Sequence, residues 1–277
     1  MTTPGVALSG GGASPSEEAR LNRQREPLPT DVASLPDLPA AYARELGRAL
    51  DVLGLELAAD ARSAIDGHVR LLLAWNAAVN LTTITDPAEV ARRHVADSLA
   101  AVQVIRAGPH ESLLDLGSGG GYPGLPLAAV LAGSRALLVD ATAKKVAFLD
   151  AARRAVGLTG RVDVAAVRAE SLRRADPGAA WDVVTARAVG PLDDLVELAV
   201  PLLATGGRLI AWKRGDISVE LAAAARAAVA LGAAAPALQP VPEALGLAGH
   251  VLVIVAKAGP TPAGYPRDPA VRKRRPW

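Results

Sequence analysis

The chain of 277 residues contains no cysteine and very few aromatic residues. Without cysteine there are no disulfides, no thiolate metal ligands and no cysteine nucleophile. Phe, Trp and Tyr make up 3% of the residues, so alanine, valine and leucine must fill the core. The four histidines are scattered and form no HxxxH cluster, so we expect no metal site.

Long apolar runs and strong net charge are also missing. No uninterrupted apolar run reaches about 18 residues, the length that predicts a transmembrane helix. Residues 1–30 are rich in Gly, Pro, Ser and Glu and lack the apolar region of a signal peptide. A net charge of +2 permits an anionic partner without requiring one. We expect a cytoplasmic protein that does not contact a membrane.

Composition and periodicity divide the chain into four segments. Residues 1–36 predict a flexible tail, because glycine, proline and serine dominate them. Residues 37–110 predict an N-terminal helical extension, since their leucines recur at helical spacing. Residues 111–258 alternate apolar strands with helices, which predicts a mostly parallel sheet with helices on both faces. Residues 259–277 predict a proline-rich, basic C-terminal tail.

The most informative stretch is LLDLGSGGGYPGLP, residues 113–126. An apolar strand leads to Asp115 and then to glycines, where a ligand can approach the bare backbone. In an open α/β sheet such a loop lies at the carboxyl edge of the strands, where ligands bind. Asp140 ends the next predicted strand, at the position where an acid can bind ribose hydroxyls.

Three interpretations of this loop remain open. Residues 119–124 satisfy the G-x-G-x-x-G pattern of a dinucleotide site, and a structural turn would need no ligand. Asp115 favours S-adenosylmethionine, because a carboxylate there suits the ammonium of a methionine moiety and opposes a pyrophosphate. After the third predicted strand, Ala169 offers a backbone amide and Glu170 an acid to an adenine edge. An acid at a helix start also has a structural interpretation.

Taken in order, six stretches resemble one family, the bacterial 16S ribosomal RNA (guanine-N7) methyltransferases called GidB or RsmG. The similar stretches are WNAAVNLTTITDPAEVARRHVADSL (75–99), LLDLGSGGGYPGLPLA (113–128), VDATAKKVAFL (139–149), ARAVGPLDDLVELAVPLL (186–203), GGRLIAWKRG (206–215) and the terminal YPRDPAVRKRRPW. The resemblance covers about residues 40–277. The block at 75–99 and the ARA triplet are more specific than the glycine loop.

The resemblance implies a class I (Rossmann-like) S-adenosylmethionine-dependent methyltransferase with a short N-terminal helical extension. It implies S-adenosyl-L-methionine as cofactor, and 16S ribosomal RNA or the small ribosomal subunit as substrate. We expect a monomer, since no spare apolar surface is evident. The cofactor contacts it implies, with Gly119 of the loop added, are Gly117, Gly119, Tyr122, Asp140, Ala169, Glu170 and Arg187.

The residues after the fourth predicted strand reduce the number of base atoms that could accept the methyl group. Enzymes that methylate exocyclic amines of bases often carry Asn/Asp-Pro-Pro-aromatic there, whereas this chain has TARA, residues 185–188. The missing cysteine disfavours a pyrimidine carbon. Guanine N7 needs neither device, because its in-plane lone pair carries no proton and requires only alignment. We therefore expect no general base, not even His94, and assign Arg187 the catalytic role of positioning.

Arg187 has two interpretations. It can hold the cofactor while donating to guanine O6 or a phosphate, or it can be a buried ion-pair partner. His94 and Asp97 lie three residues apart on a predicted helix, so we expect them to share a face and hydrogen bond. The candidate phosphate contacts are Arg92, Arg93, Lys144, Lys145, Lys213, Arg214 and the run Arg272–Arg275.

Three rival functions remain open at this stage. A small-molecule methyltransferase of the same fold would require a closed apolar substrate pocket. An NAD-dependent oxidoreductase would bind nicotinamide and no S-adenosylmethionine. A non-catalytic RNA-binding module would have little use for the glycine loop and Asp140.

Overall fold

The computed structural model describes residues 27–175, 178 and 180–277. Most of the predicted flexible tail, residues 1–26, therefore lies outside the described residues. The described part contains a sheet with the strand order β3-β2-β1-β4-β5-β7-β6. Its strands are β1 Ser112–Leu116, β2 Arg135–Asp140, β3 Val162–Ala166, β4 Trp181–Arg187, β5 Leu203–Arg214, β6 Ala237–Pro240 and β7 His250–Ala256.

The five strands from β3 to β5 are parallel, and β7 runs antiparallel to both of its neighbours. The predicted α/β fold with a mostly parallel sheet is confirmed. From β1 the chain winds outward through β2 and β3, then returns to pair β4 with the other side of β1. At such a switch point a crevice opens outside the carboxyl ends of the strands, and ligands bind there.

Helices cover both faces of the sheet. They are α1 Ala40–Leu53, α2 Ala59–Val79, α3 (residues 87–99), α4 Val102–Arg106, α5 Gly124–Val130, α6 Ala143–Ala155, α7 Ala169–Ala175, α8 Leu192–Ala199, α9 Ser218–Ala230 and α10 Pro269–Arg274. Helix α3 begins as Pro87–Val90, widens into a π-helical turn at Ala91–Ala96 and ends with Asp97–Leu99. Asp86 caps its start by accepting from the Glu89 amide.

The strands between the two helix layers are buried on both sides. Successive side chains of a strand point to opposite faces, so Leu113 packs with the N-terminal helices while Leu114 packs with α8 and α9. Tyr42, Trp75 and Phe148 lie in the first layer. The second layer relies on aliphatic residues, including the alanines that α9 buries. Alanine thus fills core space that aromatics do not.

Polar side chains of α2 bind the segment before the N-terminal helices and the loop that follows α2. The Trp75 indole donates to the Pro29 carbonyl at 2.7 Å. Asn76 exchanges two hydrogen bonds of 2.8 Å with the backbone of Thr82. Asn80 ends α2 in the left-handed conformation, with φ of 53°. These residues hold the helices in place.

None of the helices in the described ranges is long and apolar enough to cross a membrane.

The C-terminal segment folds back against α8. Arg267 pairs with Glu197, whose side chain is fully buried, through contacts of 2.6–3.0 Å. The Trp277 indole donates to the same carboxylate at 2.7 Å and stacks on Tyr265. Burial opposes ionisation of Glu197, but the hydrogen bonds from Arg267 and Trp277 outweigh it and lower its pKa. Residues 265–277, which we call the C-terminal strap, are therefore packed onto the core. The division of the chain into four segments stays a prediction.

Candidate active site

A cleft of about 310 Å³ opens at the carboxyl edge of the sheet, beside the switch point. Its lining comes from the ends of four parallel strands, from α8 and from α10. The lining residues are Gly117, Val139, Asp140, Ala141, Val167, Arg168, Ala169, Glu170, Val189, Gly190, Pro191, Asp194, Leu195, Leu198 and Arg272. Acidic groups and apolar side chains share its walls, which suits a ligand with hydroxyls and an aromatic base.

Asp140 organises one side of this cleft. Its Oδ2 accepts from the Gly119 amide at 3.1 Å, and its Oδ1 accepts from the Thr142 amide at 2.8 Å. Lys145 Nζ lies 3.9 Å away. Each carboxylate oxygen retains a lone pair beyond these bonds. The carboxylate therefore fixes the glycine loop and can still accept from ligand hydroxyls.

The glycines of the loop serve packing more than ligand approach. Only Gly117 lines the cleft, and its φ of +69° is one that side chains rarely adopt. At Gly121, with φ of +87°, a Cβ would lie 2.6 Å from Leu125 and 2.8 Å from His68. The G-x-G-x-x-G pattern therefore reflects close contact between the loop, α2 and α5.

The interpretation of Asp115 as a contact for a ligand ammonium is wrong. The residue is fully buried and lies outside the cleft lining. Thr185 Oγ1 donates to its Oδ1 at 2.8 Å, and the Gly124 amide donates to its Oδ2 at 3.2 Å. Burial raises the pKa of this carboxyl to about 6 despite these bonds. Asp115 ties β1 to β4 and to the start of α5.

A second pocket of about 380 Å³ lies on the other side of the segment after β4. It is lined by Ile84, Arg93, His94, Asp97, Arg187, Ala188, Trp212, Lys213, Arg214 and His250. Ala188 turns the chain with φ of 58°, a conformation that residues other than glycine rarely adopt. After this turn Val189, Gly190 and Pro191 line the first cleft. Residues 187–191 thus form a partition with a cleft on each side.

Arg187 is held at the second pocket by a buried carboxylate. Its NH1 donates to Asp97 Oδ2 at 3.1 Å, and Asp97 is 2% exposed. Asp97 Oδ1 also accepts from His250 Nδ1 at 3.0 Å. The ion-pair interpretation of Arg187 thus describes its contacts in this structure. Its expected place in the lining of the cofactor cleft is not observed, because the turn at Ala188 separates the two pockets.

His94 is neutral and fully engaged. Its Nδ1 lies 3.2 Å from both Arg187 NH2 and the Arg93 carbonyl oxygen, and its Nε2 lies 2.7 Å from Thr82 Oγ1. The guanidinium donates and the carbonyl accepts, so these contacts are compatible with either tautomer. Burial, followed by the positive charge of Arg187, lowers the pKa of His94 to about 4. His94 and Asp97 share a face as predicted, since both line the second pocket and contact Arg187. The hydrogen bond predicted between them is not observed, because the Asp97 carboxylate accepts from Arg187 and His250 instead.

Tyr122 lies under this network and not in the cleft. Its ring stacks on His94 at 4.8 Å and packs against His68 at 4.6 Å. Arg187 lies 5.4 Å from the ring centroid, and burial raises the pKa of the phenol. Tyr122 therefore connects the glycine loop to the second pocket.

The structure places most of the predicted cofactor contacts at the first cleft, and places Arg187 and Tyr122 at or beside the second pocket. Four of them line the first cleft: Gly117, Asp140, Ala169 and Glu170. Gly119 reaches it through its hydrogen bond to Asp140. Sequence reasoning did not name His250, which lines the second pocket and is a lone histidine without a local signal. It predicted Arg272 as a phosphate contact, whereas the structure places its buried side chain in the lining of the first cleft.

Several predicted phosphate contacts are engaged in ion pairs. Arg92 pairs with Glu89, Lys213 with Glu220 and Arg272 with Glu170. Arg93, whose NH1 lies 3.9 Å from Glu89 Oε2, and Arg214 are exposed where they line the second pocket. Of the predicted basic residues, these two therefore combine exposure with a place at the second pocket.

The strand order, the acid at the end of β2 and the cleft beside β1 define a class I S-adenosylmethionine-dependent methyltransferase. A solved structure of this fold is similar: the O-methyltransferase from Bacillus cereus in complex with SAH, with 18% identity and a TM-score of 0.51. It covers 69% of this chain and 91% of that one, and at this identity it shows the fold alone.

Sequence relatives give the family. The GidB family model, described as rRNA small subunit methyltransferase G, matches residues 62–241. Ribosomal RNA small subunit methyltransferase G of Roseiflexus sp. (strain RS-1) is 42% identical over 74% of this chain and 87% of its own length. The protein of the same name from Chloroflexus aggregans is 39% identical over 80% and 93%. The chain belongs to the GidB family, and S-adenosylmethionine is its cofactor.

Buried His68 makes the stability of the enzyme depend on pH. Its Nε2 lies 2.7 Å from the Gly120 carbonyl, and burial lowers its pKa to about 4. The unfolded imidazole, with a pKa of about 6.5, takes up a proton first, so stability falls as the pH drops from about 6.5 to about 4. At pH 5 we expect His68 to reduce the free energy of unfolding by about 2 kcal/mol relative to pH 7.

Urea unfolding at both pH values checks this expectation. His68→Gln keeps a donor for Gly120 but does not titrate, so its stability should fall less than that of the wild type by about 2 kcal/mol. An equal fall in both proteins would show that His68 does not cause the acid sensitivity, leaving His94 as the group to test.

Proposed function

We propose that the chain transfers a methyl group from S-adenosylmethionine to N7 of a guanine in 16S ribosomal RNA. One observation carries this proposal: two pockets adjoin the partition 187–191 at the switch point of the sheet. One has the acids and apolar walls that suit an adenosine, and the other has the basic groups that suit a nucleotide. Transfer between the ligands requires such adjacent sites.

The residues of the first cleft fit the cofactor. Asp140 would accept from the ribose hydroxyls, and the bare backbone at Gly117 would admit the methionine portion. Leu195 and Leu198 offer an apolar wall for adenine, with Ala169 at its edge. When bound, S-adenosylmethionine supplies the methyl group from its sulfonium sulfur.

The second pocket would receive the target nucleotide. Arg93 and Arg214 are exposed there and would bind phosphates. Arg187, fixed by Asp97 and His94, would donate to guanine O6 or to a phosphate and so orient the base.

The pairing of Arg187 with Asp97 suits an acceptor that becomes cationic. Guanine gains positive charge when N7 is methylated, and an uncompensated arginine beside it would oppose that change. The carboxylate of Asp97 lies 3.1 Å from Arg187 and offsets its charge. His94 remains neutral, with both ring nitrogens engaged, so the site works by alignment and without a general base.

A monomer in the cytoplasm, where small ribosomal subunits are present, completes this proposal. The substrate is then the 16S RNA itself or the subunit that contains it. Among the described residues no group of three or more His, Asp or Glu side chains could hold a metal ion, and the chemistry proposed needs none.

Methyl transfer to small ribosomal subunits tests the function. We expect labelled S-adenosylmethionine to mark a single guanine of the 16S RNA, located by chain cleavage at N7-methylguanine. Asp140→Ala should give no label, which serves as the control for contaminating activity. Cofactor binding without any transfer to RNA would contradict the proposal and favour a small-molecule acceptor.

A further inference from the structure

Arg272 occupies an unusual place for a residue in a basic C-terminal run. It lies in α10, is 8% exposed and lines the cofactor cleft. Its NH2 donates to Glu170 at 3.1 Å, and its Nε lies 3.4 Å from Asp194 Oδ1. The position lies beyond residues 62–241, to which the family model extends.

The guanidinium is not satisfied by these neighbours. Its Nε and NH1 are buried and have no hydrogen-bond partner. Buried donors are nearly always paired, because leaving one without an acceptor is costly. Because Arg272 is also part of the cleft lining, a ligand bound in the cleft is placed to supply an acceptor.

The C-terminal strap holds Arg272 in this place independently of any ligand. Arg267, five positions earlier, is fixed to the buried Glu197, and Trp277 donates to the same carboxylate. Arg226 also donates to the backbone oxygen of Trp277 at 2.8 Å. Both ends of α10 are therefore tied to the core, and Arg272 is preorganised at the wall of the cleft.

We propose that Arg272 is a cofactor-binding residue, whose buried NH1 donates to a ring nitrogen of the adenine of S-adenosylmethionine. Arg272 contacts Glu170, in the first turn of α7, and Asp194, in the first turn of α8. These elements form the end of the cleft that carries the apolar wall of Leu195 and Leu198. Adenine ring nitrogens accept, whereas its amino group donates, so the guanidinium and the two acids together match both kinds of group.

Calorimetric titration with S-adenosylhomocysteine and with adenosine tests this contact without RNA. We expect Arg272→Ala to weaken both ligands by the same factor, about tenfold or more, as loss of a charged hydrogen bond does. Arg274→Ala is the matched control, because Arg274 lies in the same helix, is exposed and bonds only within it. It should leave both affinities within about twofold.

Loosening of the strap has to be separated from loss of the contact. Arg267→Ala removes the link to Glu197 but leaves the Arg272 side chain intact, and the melting temperature of each free protein reports on folding. If Arg267→Ala and Arg272→Ala weaken binding equally and melt equally early, the strap as a whole is responsible and the proposal is overturned. Unchanged affinity in Arg272→Ala, or a loss confined to S-adenosylhomocysteine, overturns it as well. Neither result bears on which RNA is methylated.

Discussion

Asp140→Asn is expected to lower the affinity for S-adenosylhomocysteine by at least about 100-fold, because two hydrogen bonds from ribose hydroxyls to a carboxylate would be lost. The reason lies in how Asp140 is held. Both of its oxygens already accept from backbone amides, those of Gly119 and Thr142. An asparagine has one oxygen and one NH2 group, so its NH2 would face one of these N–H donors. The substitution therefore disturbs the glycine loop in addition to removing the charge.

Calorimetric titration measures this effect directly, and a carboxylate on the neighbouring strand provides the control. Asp163 is exposed on β3, in register with Leu137 of β2 and away from the cleft lining. Asp163→Asn should bind S-adenosylhomocysteine as the wild type does. NAD should bind to neither protein, since the family uses S-adenosylmethionine. An Asp140→Asn protein with normal affinity would show that another group holds the ribose.

The strands that could be predicted are those with local signals. Short apolar runs bounded by turn residues predict strands at Ser112–Leu116, Arg135–Asp140 and His250–Ala256, and β1, β2 and β7 have these bounds in the structure. For β5 the apolar stretch predicts a start at Arg208, but the strand begins at Leu203. The four residues ATGG before Arg208, residues 204–207, have the composition of a turn although they belong to the strand. β6, ALQP, was not predicted. It is an exposed edge strand with a proline, so no alternation marks it.

Helix α3 shows a second feature that could not be predicted from the sequence, a change of helix type within one helix. Its sequence predicts one continuous helix that runs on from Pro87 to about residue 105. The structure instead has a π-helical turn at Ala91–Ala96 and a break before Val102. No residue type marks a π-turn, because the widening depends on what the helix packs against. The consequence for function is local, since Arg93, His94 and Asp97 face the second pocket from this turn.

The candidate site was predictable where its residues follow strands in one pattern. Asp140 ends a parallel strand, Gly117 and Glu170 follow two others, and the carboxyl ends of parallel strands share one edge. The network around Arg187 has no such pattern. It joins Arg187 to Asp97 across 90 positions, and His250 to Asp97 across 153. Contacts of this kind depend on the tertiary fold. The sequence therefore predicted a functional role for Arg187 but could not identify Asp97 as its ion-pair partner.

Arg187→Lys is expected to lower kcat for methyl transfer about 100-fold, as misplacement of a substrate by about 1 Å does. Lysine keeps a positive charge beside Asp97, but its single nitrogen cannot contact both Asp97 and His94 as the planar guanidinium does. The base would then lose its fixed donor. Alanine is less informative, because the buried Asp97 would lose its ion pair and keep only the hydrogen bond from His250, which would destabilise the fold by as much as about 3 kcal/mol.

Steady-state kinetics on small ribosomal subunits, with S-adenosylhomocysteine titrations beside them, separate the possible roles of Arg187. Because Arg187 lies outside the lining of the cofactor cleft, the affinity for S-adenosylhomocysteine should stay within about threefold while kcat falls. Arg214→Lys, at an exposed arginine of the same pocket, should keep both values. A loss of cofactor affinity as large as that of Asp140→Asn would instead make Arg187 a cofactor ligand. The partition 187–191 would then have to move when the cofactor binds.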